Sequence, residues 1–117
     1  MFITTVIVSV VLALALVVSA AMKLQQNPQV VAPIHDVVGV PMRWFAVLAA
    51  LELAGAAGLV IGLWWAPLGI AAAIGVVAYF VGAVIAHLRV HDTKGVAGPI
   101  GPLLLAIATL VLRSATA

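Results

Sequence analysis

Trp44-Phe45-Ala46-Val47-Leu48-Ala49-Ala50-Leu51-Glu52-Leu53-Ala54-Gly55-Ala56-Ala57-Gly58-Leu59-Val60-Ile61-Gly62 is an apolar run interrupted by a single charge, Glu52. Its length suits a helix crossing the hydrocarbon of a bilayer, which takes about 20 residues at 1.5 Å each. A carboxylate at such a depth must turn toward protein or water, so Glu52 is a functional candidate by position alone. The rest of the chain has the same character. Of its 117 residues 67% are hydrophobic and 7% charged, with a mean hydropathy of +1.38, whereas soluble domains are about one-quarter charged. The sequence predicts an all-α integral membrane protein.

Three further runs accompany the first. One extends from about Phe2 to Met22 and stops where Lys23-Leu24-Gln25-Gln26-Asn27-Pro28 turns polar and Pro28 forbids more helix. It is longer than a signal-peptide core and has no basic segment before it, so Val18-Ser19-Ala20 reads as helix and not as a cleavage site. Trp64-Trp65-Ala66-Pro67 is a tight turn with interfacial tryptophans between the second span, about 43–63, and the third, about 67–88. Gly98-Pro99-Ile100-Gly101-Pro102 opens the fourth, about 98–112, with its prolines in or near the first turn. The expectation is a single domain over residues 1–117, four transmembrane helices in an antiparallel up-and-down bundle. The loop from Lys23 to Arg43, with Pro28, Pro33, His35, Asp36, Gly39 and Pro41, is the expected lid, with one short interfacial helix near Pro33 to Val38.

The basic residues are unevenly placed. Lys23, Arg43, Arg89 and Lys94 adjoin the loops after the first and third spans, and Arg113 lies toward the other face. The positive-inside rule then places those loops in the cytoplasm and both termini outside. Glu52 lies about 13 Å inward of Arg43, and Tyr79 about 12 Å inward of His87, so the two meet at matched depth on neighbouring helices. Tyr79, Ala83 and His87 fall at i, i+4 and i+8 on one face. The expected site is a polar funnel with Glu52, Tyr79 and His87 as catalytic candidates and Lys23, Arg43 and Arg89 as ligand-binding candidates at the mouth. Ala54, Gly58 and Gly62 recur every four residues on a face other than that of Glu52, a spacing that admits close helix packing.

Composition excludes several roles. With no cysteine there is no disulfide framework, thiol catalysis or Cys-ligated cluster. A net charge of +2 does not suit nucleic-acid binding. His35 and His91 read as solvated loop residues, and His87 with His91 is the pair at i, i+4 that would ligate an ion or haem. Neither a metal nor haem is expected. Each singled-out residue also has a plainer reading: Glu52 a hydrogen-bonded structural acid, Tyr79 a core residue, the cations interfacial anchors.

Ser19-Ala20-Ala21-Met22-Lys23-Leu24 at the end of the first span, Glu52-Leu53-Ala54-Gly55-Ala56-Ala57-Gly58 in the second, Pro67-Leu68-Gly69 entering the third and Ala86-His87 at its end together resemble the DoxX-like family of bacterial membrane proteins. The resemblance spans nearly the whole chain, which differs from many relatives in lacking a basic N-terminus. It implies a compact four-helix bundle with Lys23, Glu52 and His87 at the matching positions. Members have been linked to quinone-reducing sulfur oxidation, as a small membrane subunit, and to membrane redox complexes. The leading expectation is therefore a protein that binds a small lipophilic molecule or quinone between its helices, with Glu52 in proton transfer, beside a partner oxidoreductase or as a homo-oligomer. The alternatives are a non-catalytic subunit anchoring a membrane complex, an acid-catalysed isomerase of a lipophilic substrate, and a small proton-coupled transporter.

Overall fold

The computed structural model describes residues 1–31, 34, 36 and 38–117, with the backbone alone for residues 29 and 30. His35 and much of the short helix expected near Pro33 to Val38 lie outside the described residues. Five α-helices are seen among these residues: α1 (Phe2–Leu24), the short α2 (Pro28–Val31), α3 (Phe45–Ile61), α4 (Ala66–Arg89) and α5 (Ala97–Ala115). A 3-10 turn, Met42–Trp44, leads into α3. Taken with that turn, α3 joins α1, α4 and α5 as four segments long and apolar enough to cross a membrane.

Local chemistry accounts for where the helices stop. α1 ends at a left-handed Gln26 (φ 53°), two residues before Pro28. α4 begins after an extended Trp65 (φ −143°) with Pro67 in its first turn, where the missing N–H has no helical partner to lose. It ends at His91, also left-handed (φ 57°), which turns the chain back toward α5. Pro102 sits inside α5, and α5 begins before and ends after the span read from hydropathy.

The buried residues form seams at steps of three and four, the spacing that keeps one helix face against its neighbours. On α3 the seam is Phe45, Ala49, Glu52, Ala56 and Leu59; on α4 it is Gly69, Ala73, Val76, Phe80 and His87. On α1, Leu12, Leu16, Ala20 and Lys23 keep the same register, as do Pro99, Leu103, Ala106, Thr109 and Arg113 on α5. Each of the four seams therefore carries one ionisable residue. The opposite faces expose Ile7, Leu14, Leu51, Ile74, Leu104 and Val111, as suits contact with lipid.

α1 packs chiefly on α3 and α4 on α5, while α3 with α4 and α1 with α5 close the ring. α3 and α4 approach closely where side chains are smallest. A β-carbon on Gly58 would lie 2.7 Å from that of Ala72, and one on Gly62 would run into the backbone of Gly69. At that end Arg113 donates from Nε to the Gly62 carbonyl oxygen (3.0 Å), bonds Thr116 through Nη1 (3.2 Å), and stands 5.9 Å from the Phe2 ring centre. The start of α1 and the ends of α3 and α5 thus meet.

Candidate functional site

Away from Arg113, the bundle forms a partly open cavity of about 560 Å³, within the range of small-molecule sites. Most of its wall is apolar, with Leu16, Phe80 and Pro102 among the contributors, and its polar groups come from Ser19, Lys23, Tyr79 and His87. Ile34, Val38 and Val40 of the loop after α1 also line it. Gly82 and Gly98 also line it, and a β-carbon on either would meet nothing within 4 Å, so both open onto free space.

Lys23 is 5% exposed and reaches inward along α1 instead of snorkelling to the surface. Its Nζ donates to Glu52 Oε1 at 2.6 Å and to Ser19 Oγ, one turn back, at 2.8 Å. An ammonium has three protons, so one remains for the cavity. Glu52, 2% exposed, stands behind Lys23 and not on the wall of this cavity. It borders a second cavity of about 210 Å³ between α3 and α4 instead. Leu16 and Tyr79 line both spaces and so separate them. Glu52 Oε2 is buried with no hydrogen-bond partner among the described residues, and Tyr79 lines the same small cavity. The Tyr79 ring meets Phe80 edge-on, with centroids 5.0 Å apart.

His87, 7% exposed, sits at the cavity wall in the last turn of α4. Its Nδ1 is 2.8 Å from Asp92 Oδ2, and Asp92 Oδ1 accepts the Gly95 backbone N–H at 3.0 Å. The His87 bond, and after it the Gly95 N–H, holds the Asp92 carboxyl below the usual carboxylate range. Gly95 is required by this clasp: a β-carbon there would collide with the Asp92 carboxylate and lie 2.5 Å from His87 Nδ1.

Of the residues expected at the site, the structure brings Lys23, Tyr79 and His87 to one cavity and sets Glu52 behind Lys23. Arg43 and Arg89 are exposed and line neither cavity. Sequence reading missed Ser19, Asp92 and Gly95. Ser19 was visible as a hydroxyl four residues before Lys23 on a helix, whereas Asp92 and Gly95 lie beyond the end of α4, where periodicity carries no information. Among the described residues no group of three His, Asp or Glu is placed to hold a metal ion.

No curated protein and no solved structure matches the chain significantly. A family model does: it covers residues 7–109, which take in Ser19, Lys23, Glu52, Tyr79, His87 and Asp92. With four helices apolar enough to span a bilayer and nearly the whole chain matched, the protein is a multi-pass membrane protein belonging to the DoxX-like family.

Proposed function

We propose that the protein binds a small lipophilic molecule of the quinone class in the 560 Å³ cavity, as part of a membrane redox process. The observation that carries this reading is a mostly apolar cavity whose few polar groups converge from two helices, α1 and α4, with an ammonium proton to spare. Lys23, fixed by Glu52 and Ser19, donates to a ligand carbonyl oxygen. Glu52 serves proton transfer through Lys23, without touching the ligand. Electrons come from a partner oxidoreductase, since the chain has no thiol of its own.

A tritiated short-chain quinone binding to the protein in lipid nanodiscs tests this. Gly82→Leu adds a side chain at the cavity wall, where a β-carbon meets nothing within 4 Å, and should lower affinity at least about tenfold, a loss of about 1.4 kcal/mol. Gly75→Leu, also open but bordering the smaller cavity, should not. No binding by the wild type, or equal loss from both variants, sinks the proposal and leaves a structural subunit as the better reading.

The same reading places the cavity mouth toward the cytoplasm of a bacterial inner membrane, on the strength of Lys23, Arg43, Arg89 and Lys94 at that end. In intact cells, a cysteine at Thr116 should react with an impermeant maleimide and one at Gln26 should not. The reverse pattern inverts the orientation.

A further inference from the structure

His87 and Asp92 form a pair whose chemistry the cavity has not yet used. A carboxylate has no proton to give, so the 2.8 Å contact requires His87 Nδ1 to be the donor. The Asp92 carboxylate is doubly held, accepting from His87 at Oδ2 and from the Gly95 N–H at Oδ1. The Asp92 backbone N–H also returns to the His87 carbonyl oxygen at 2.9 Å, closing the turn. In a neutral imidazole only one nitrogen carries a proton. With Nδ1 taken, Nε2 is left as a lone pair on a ring that lines the cavity, and no described residue bonds to it.

We propose that Asp92 is a positioning residue that fixes His87 in the Nδ1–H tautomer, so that Nε2 accepts a hydrogen bond from a hydroxyl-bearing lipophile, a phenol or quinol, in the main cavity. This rests on the reading of that cavity as a ligand site. The hydroxyl donates to His87 Nε2, and its oxygen remains able to accept. A ligand that presents only acceptors there would face a lone pair with a lone pair. At His87 the pocket therefore favours a hydroxyl over an ether or carbonyl oxygen, whereas Lys23 is the donor for a carbonyl. No covalent change is involved, and the hydrogen bond is the same for any donor of this class.

Asp92→Asn separates this role from simple bracing, because Gly95 supplies a fixed N–H. The Asn oxygen must face Gly95, which turns its amide N–H₂ toward His87 Nδ1. That nitrogen must then accept, and the proton moves to Nε2. The expected result, read by ¹⁵N NMR of histidine-labelled full-length protein in nanodiscs under alkaline conditions, is Nδ1–H in the wild type and Nε2–H in Asp92→Asn. An alkylphenol should bind the wild type roughly tenfold more tightly than its O-methyl ether, the worth of about one hydrogen bond. That preference should vanish in Asp92→Asn while the thermal unfolding temperature holds.

A wild-type His87 protonated on Nε2, or a tautomer indifferent to Asp92→Asn, overturns the assignment without any ligand being present. Equal binding of phenol and ether by the wild type overturns the selectivity. Should neither probe bind while the tautomer behaves as expected, the cavity reading falls and takes the selectivity with it, with the positioning role of Asp92 upheld on its own.

Discussion

Glu52→Ala is expected to destabilise the bundle by about 3–5 kcal/mol, the usual loss when one partner of a buried ion pair is removed. The pair is well shielded: the side chains of Lys23 and Glu52 are 6% and 0% exposed. Alanine would leave a buried ammonium with the Ser19 hydroxyl as its remaining partner and would open a cavity beside it. Lys23 sits near the end of α1 and can relax outward, which places the loss nearer the lower figure. Glu52→Gln keeps shape and an acceptor oxygen but not the charge, so it should fall between wild type and Glu52→Ala. The Lys23 contact at 2.6 Å is the reason this substitution should cost stability. The double variant Lys23→Met/Glu52→Leu removes both charges together and should recover most of the stability. Unfolding measured in mild detergent decides it. If the double variant loses as much as the sum of its single changes, the two residues are not coupled.

The second large effect belongs to Gly62→Ala. One added methyl would run into the Gly69 backbone and come within 2.6 Å of the Gly58 carbonyl oxygen, and neither is a flexible side-chain end that can step aside. The same shift would disturb the Gly62 carbonyl that accepts from Arg113 Nε. A loss of about 3 kcal/mol, the upper part of the common overpacking range, is expected. Gly58→Leu should behave similarly through Ala72, whereas Val60→Leu, on an outward face, should be nearly neutral. Gly75→Ala and Gly98→Ala have open space around the new methyl and serve as controls. Melting temperatures indistinguishable between Gly62→Ala and Gly75→Ala would remove the case for a close approach of α3 and α4.

Much of the bundle was legible because membrane insertion is read locally. A stretch such as Phe2–Leu24 declares itself by length and hydropathy, and Pro28, Pro67 and Pro99 punctuate it whatever the neighbours do. The inward placement of Glu52 followed from the same reasoning, since a short carboxylate cannot reach water from that depth. Its partner did not. α3 is apolar on all sides, so no amphipathic pattern sets its rotation against α1, and Tyr79 at matched depth was as reasonable a neighbour as Lys23. Lys23 itself read as an anchor, because a long cation at a helix end ordinarily snorkels.

Sequence alone therefore determined the class of molecule, the four apolar spans and the presence of a polar element inside them. The tertiary structure decided the pairings: Lys23 with Glu52, Arg113 with the Gly62 carbonyl, and His87 with an aspartate beyond its own helix. It also assigned Glu52 to the rear of the cavity and His87 to its wall. The physical reason is one of range. Transfer into a bilayer is summed residue by residue along one helix, whereas an ion pair or a tautomer depends on a few ångströms between atoms of different segments, and those distances exist only once the helices have been turned and packed against each other.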